Sequence, residues 1–148
     1  MIARKITSQR RGVHAVEFAF VALIFFMFLF GVLEYGRLVF TRQVIFNAAR
    51  EGARYAVVNL TDSTIVSDTQ AYVKTRMAGE DANLKNYSCQ VYMADNNGQN
   101  IGAAGNAAFG QYVAVQVDAD YQPMLPSLLF MGKTLKLSSK ALMYSEAN

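Results

Sequence analysis

The chain has 148 residues, 53% of them hydrophobic and 17% charged, with one cysteine and one histidine. That composition suits one domain of modest size and excludes a disordered chain, a disulfide framework and a cysteine-based zinc site. A lone histidine leaves little for acid–base, nucleophilic or metal chemistry, so the expectation is a protein that is not an enzyme and has no catalytic residue, cofactor or metal. The net charge of +3 belongs to the start of the chain, where Arg4, Lys5, Arg10 and Arg11 lie; the remainder holds 10 basic and 11 acidic residues. Nucleic acid binds a basic patch on a folded module and is therefore not an expected partner. Nor is a small-molecule substrate.

After the basic start, residues 18–33 read FAFVALIFFMFLFGVL, with no polar or charged side chain. As a helix this run covers roughly 24 Å, slightly short of the ~30 Å hydrocarbon core of a bilayer. Residues 13–36, with Glu17 and Glu34 near the two ends, cross it in full. The positive-inside rule places the N-terminus in the cytoplasm and the remainder outside, which in a bacterial inner membrane means the periplasm. The run is long for a cleaved secretory signal and no A-x-A site follows it. A plain signal-anchor and a segment processed by another route remain.

The helical pattern continues past the apolar run. Ile45, Ala48, Ala49, Gly52, Ala53, Ala56 and Val57 recur at helical spacing, with Gln43, Asn47, Arg50, Glu51 and Arg54 on the opposite side. One helix is expected over residues 13–58, roughly 70 Å long, as a stalk half in lipid and half under a domain. Its Ala/Gly stripe admits close approach and is expected to face a sheet bearing Val113, Val115 and Val117. Gly31 and Gly36 would permit close packing or a bend, although isolated glycines are common in membrane helices.

Downstream, residues 59–64 break the helix, and Asp62 or Ser67 is the expected cap of a second helix ending near Gly79, with Val66, Val73 and Met77 buried. Tyr87, Cys89, Val91 and Met93 alternate with polar neighbours as a half-buried strand. Residues 94–109, with four Asn and three Gly, are expected to be loop. Val113, Val115, Val117, Ala119 and Tyr121 form the clearest inward set. A loop over residues 122–132 carries both prolines, and Leu135, Leu137, Ser139, Ala141 and Met143 alternate after it. Asp118 and Asp120 on one strand, with Lys136 and Lys140 on the other, point to antiparallel pairing. The expected architecture is α+β, a long N-terminal helix laid on a small antiparallel sheet.

Several residues invite a chemical role and have a plainer one. His14 has no nucleophile nearby. Asp118 and Asp120 could bind a cation, but with the lysines they make a simpler solvated face. Asp95-Asn96-Asn97-Gly98 lacks the closing acid of a calcium loop and is expected to be a turn. Cys89 falls on the inward set of its strand as a buried free thiol, the alternative being an intermolecular disulfide outside the cytoplasm. Arg50, Glu51 and Arg54 make either a solvated helix face or a contact with adjacent subunits. Glu17 is costly in an apolar helix end unless neutral, paired or near the interface; snorkelling to the headgroups would suffice for it.

The segment RRGVHAVEF, residues 10–18, resembles a type IV prepilin processing site, with Gly12 after a basic leader and Glu17 five positions on. From AVEF through GVLEYGR to NAAREGARYAVV, residues 15–58 resemble the N-terminal region of TadE-like proteins, minor pilins or pseudopilins of tight-adherence (Tad/Flp) pilus systems. Residues 112–146 are similar to that family in outline, while the Asn/Gly loop is this sequence's own. The resemblance implies a type IV pilin-like fold in three parts: a basic cytoplasmic leader over residues 1–12, a transmembrane and stalk helix over 13–58, and an extracytoplasmic domain over 59–148. It also implies cleavage by a prepilin peptidase between Gly12 and Val13, and assembly through Glu17 and Phe18, the acid meeting the freed amine of a neighbouring subunit. Glu34, Tyr35, Arg50, Glu51 and Arg54 would make stalk contacts. The implied partners are other pilin subunits, the peptidase, the inner-membrane Tad assembly platform and the lipid bilayer, in adherence, surface colonisation or secretion. The alternative is a signal-anchored, adhesin-like binding module that is neither processed nor polymerised.

Overall fold

The computed structural model describes residues 8–108, 110–124, 126 and 132–145, with side chains from residue 12 onward. Arg4 and Lys5 of the expected leader, Phe109, and most of the Pro-containing loop lie outside these. Helix α1 spans Ser8–Val58, 51 residues without interruption. It begins before the expected start at residue 13, because a single glycine at position 12 costs only about 1 kcal/mol of helix propensity. Both prolines of the chain lie beyond it, so the ladder of backbone hydrogen bonds runs through to the turn at Asn59.

Helix α2 covers Ile65–Arg76. Neither expected cap closes its start. Thr64 holds the cap position without a side-chain cap bond, while the Asp62 carboxylate accepts the Thr64 amide at 3.2 Å and hydroxyl at 3.0 Å. Ser67 lies inside the first turn. The buried stripe is also shifted: Ile65, Thr69, Val73 and Met77 are buried and Val66 is exposed. A strict i, i+4 row fits the narrow gap against α1 better than the assumed spacing through Val66.

Strands β1 (Lys85–Ala94), β2 (Asn100–Ala103), β3 (Tyr112–Tyr121) and β4 (Leu135–Tyr144) form one antiparallel sheet in the order β2-β1-β3-β4. The arrangement is α+β, like that of type IV pilins, as the pattern led us to expect. Strand β2 overturns the assignment of residues 94–109 as loop. Asp95 takes the amides of Asn97 and Gln99 at 2.9 and 2.7 Å, and Gly98 has φ +76°, so a tight turn folds the polar segment back onto β1. Polar composition hid a four-residue edge strand that lacks the alternation of a half-buried one.

The core lies between α1, α2 and the inner face of the sheet. Ile45, Ala48, Ala49, Ala53 and Ala56 pack in one cluster with Val113, Val115, Val117 and Tyr121, as the Ala/Gly stripe anticipated. Gly52 sits where α1 meets α2: a Cβ added there would fall on Val73 Cγ2. Small residues therefore set the separation of the two helices. On the outer face, Tyr92 packs with Ala94, Ala114 and Tyr112 and donates to Gln116 Oε1 at 3.1 Å. That face is thus not uniformly polar.

Candidate functional site on the N-terminal helix

The lower and upper halves of α1 face different surroundings. Between Val13 and Leu33 the large apolar side chains, among them Phe18, Phe20, Phe25, Phe28 and Val32, are all exposed. Such a surface far exceeds the few hundred Å² that a soluble monomer leaves uncovered. Sixteen consecutive apolar residues, continued at both ends, suit hydrocarbon. From Thr41 upward one side of the helix is buried under the domain.

Gly12, Val13, Glu17 and Phe18 lie together on the exposed lower end of α1. Glu17 is not alone: His14 Nδ1 is 3.8 Å from its Oε2, with both side chains largely exposed. The distance exceeds a hydrogen bond, and the pair is ionic only with a protonated imidazole.

Glu34 and Tyr35 diverge at the end of the apolar run. Tyr35 is 68% exposed, whereas Glu34 is only 6% exposed. Tyr121 donates its phenol hydrogen to Glu34 Oε1 at 2.5 Å, and the Met124 amide donates to the same oxygen at 3.3 Å. The Arg37 guanidinium lies 3.8 Å from that oxygen and 5.1 Å from the centroid of the Tyr121 ring. Burial, and then the bond to Glu34, push the Tyr121 phenol up to about 12. The last inward residue of β3 is thereby fastened to the helix where the apolar run stops. Seven residues up, Thr41 donates to Glu80 at 3.4 Å. Sequence alone joined neither pair, because partners 87 and 39 residues apart leave no local signal. The cost of an acid beside an apolar run was the one available hint.

Arg50, Glu51 and Arg54 are exposed; all three line a pocket of about 190 Å³, and Glu51 and Arg54 a second of about 260 Å³. No ion pair joins them among the described residues. The Arg50 guanidinium lies 5.7 Å from the Phe46 ring centroid, and Tyr55 stacks on Tyr72 of α2 at 4.7 Å.

The remaining candidates lie on the sheet. Asp120 pairs in register with Lys136, but its carboxylate accepts from Asn86 at 2.6 Å, and Lys140 faces Gln116 and donates to the Gly98 carbonyl at 2.8 Å. The pairing of β3 with β4 is antiparallel, as expected, and Lys136 makes no ion pair among the described residues. Cys89 is free and half-buried rather than fully buried. Burial raises its thiol from 9.0 to about 11. No group of three or more metal-ligating side chains occurs among the described residues.

With this geometry in place, one comparison is informative. A family model described as TadE-like protein matches residues 12–54. This segment is TadE-like. The match takes in Gly12, the apolar run, Glu34, Arg50, Glu51 and Arg54, and leaves the sheet outside. No curated protein and no solved structure matches the chain. The matched residues lie within the helix that is long and apolar enough to cross a membrane.

Proposed function

We propose that this TadE-like chain is a membrane-held minor pilin or pseudopilin that acts in assembly of a Tad/Flp-type pilus, with adherence and surface colonisation as the outcome. The supporting observation is the division of one unbroken helix into a bare apolar half and a half buried under a pilin-like domain. In this scheme residues 1–12 are a cytoplasmic leader, 13–58 the membrane and stalk helix, and 59–148 a periplasmic domain. A prepilin peptidase cuts after Gly12, and the freed Val13 amine meets Glu17 of a neighbouring subunit, with Phe18 beside it in the helix contact. Attraction between such charges grows as water is excluded. Glu34 and Tyr35, with Arg50, Glu51 and Arg54, are the surfaces offered to adjacent subunits and to the inner-membrane Tad platform; Glu34 acts there through Tyr121 and Arg37 rather than directly.

N-terminal sequencing of the membrane-extracted protein, produced with and without the peptidase, tests this. A mature start at Val13 that depends on the peptidase is expected. An uncut chain that never joins other pilins would instead mark a signal-anchored binding module.

A further inference from the structure

A groove of about 830 Å³ runs between α1 and the edge strand β4. Its helical wall is Tyr35, Val39, Arg42 and Phe46, and Lys136 and Leu137 stand on the other side. The same helical row continues downward through Val32 and Phe28, both exposed on the apolar half. The groove therefore opens onto the surface that faces lipid.

The groove's own lining carries cations only. Arg42 and Lys136 are exposed, the groove is lined by no acid, and neither cation is ion-paired among the described residues. Asp120, opposite Lys136 in the ladder, accepts from Asn86 and, with Asp118, lines a separate pocket that Lys136 also borders. The height also fits. Lys136 adjoins Leu135, the ladder partner of Tyr121, which is bonded to Glu34 at the end of the apolar run. Arg42 lies nine residues above Leu33, about 13 Å along the axis. Side chains on a helix tilt back toward its N-terminus, which brings the guanidinium down toward a headgroup layer roughly 5–7 Å deep.

We infer that this groove holds an anionic phospholipid, one acyl chain following Phe28 and Val32, the glycerol beside Tyr35, and the phosphate lying between Arg42 and Lys136. A second copy of the chain packed at the same height would bring Arg42 against Arg42, so lipid is the better occupant. The inference rests on residues 13–36 crossing the bilayer.

The test uses the full chain in lipid nanodiscs of phosphatidylcholine alone or mixed with phosphatidylglycerol, transferred to mild detergent, with native mass spectrometry of the lipid retained. Phosphatidylglycerol should stay bound and phosphatidylcholine should not. Arg42→Ser with Lys136→Ser should weaken retention about 30-fold, two basic contacts acting together, while Lys85→Ser leaves it unchanged. Equal retention of both lipids, or no effect of the double substitution, would overturn the inference. So would displacement by millimolar inorganic phosphate, or a Val39→Cys cross-link between two copies in phosphatidylglycerol-containing discs. A chain that never enters the disc refutes the membrane assignment itself, and is told apart from those results by its presence in the soluble fraction.

Discussion

The Tyr121 hydroxyl and the Glu34 carboxylate meet at 2.5 Å across 87 residues of sequence. The contact fixes the foot of β3 to α1 immediately above the apolar run. Glu34 keeps two other neighbours, the Met124 amide and the Arg37 guanidinium, so the carboxylate stays buried whether or not the phenol is present.

Tyr121→Phe removes the shortest of these bonds and leaves the buried acid short of a donor. The expected loss is about 1–3 kcal/mol, measurable as a lower midpoint of thermal unfolding in detergent. The phenol also sets an alkaline limit. In the unfolded chain it loses its proton near 10.0, in the folded one near 12. Its contribution is therefore whole below pH 10 and declines as pH rises from there toward 12. The decline should be shallower in Tyr121→Phe.

Cys89 should behave as a poor nucleophile. With its thiol raised from 9.0 to about 11 by burial, the folded protein at pH 8 carries roughly 100-fold less thiolate than the unfolded chain. Alkylation by iodoacetamide followed by mass spectrometry should be correspondingly slow, and should speed up in denaturant. Rapid alkylation of the folded form would contradict the burial of the thiol. The same shift means that stability contributed by neutral Cys89 fades between pH 9 and 11.

At the crossing of the two helices, Gly52→Ala should destabilise by about 1–3 kcal/mol, since the new methyl lands on Val73 Cγ2. Adding Val73→Ala should return part of that loss, which a double-mutant cycle by thermal unfolding would detect. Ala53→Leu should overpack the same layer by a similar amount, because Ala53 is buried in the cluster with Val113 and Val115.

Processing and assembly should separate cleanly at the lower end of α1. Glycine offers no side chain to obstruct a peptidase, so Gly12→Leu should keep its leader and run larger on a blot. Glu17→Ala should be cut to the wild-type size yet remain in the membrane fraction without entering pili. Wild-type piliation by Glu17→Ala would remove the proposed pairing with the Val13 amine. His14→Ala should leave both steps unchanged, since its contact with Glu17 is long and exposed.

Periodicity carried most of the fold. The apolar run, the Ala/Gly stripe and the alternation in β1, β3 and β4 each reflect burial on one face, and burial leaves a repeating mark in the chain. The edge strand β2 left none, because its residues are mostly exposed. The start of α2 was misjudged because Asp62 acts on Thr64 rather than on the helix, and two caps in one polar stretch look alike. In the candidate site, Gly12 and Glu17 were singled out by resemblance to a processing motif, and both lie on the exposed lower end of α1. The Glu34–Tyr121 contact and the α1–β4 groove were not legible in the sequence, since they depend on which strand end arrives beside which helical turn.

The small-residue stripe has a mechanical corollary. A domain held close against a helix by Ala48, Ala49, Gly52 and Ala53, and fastened lower down through Tyr121 and Glu80, has no slack between itself and its anchor. The helix is continuous from its apolar half into that contact. Axial displacement of the lower half is then carried directly to the domain, like a rod moving its piston head, rather than being absorbed in a linker.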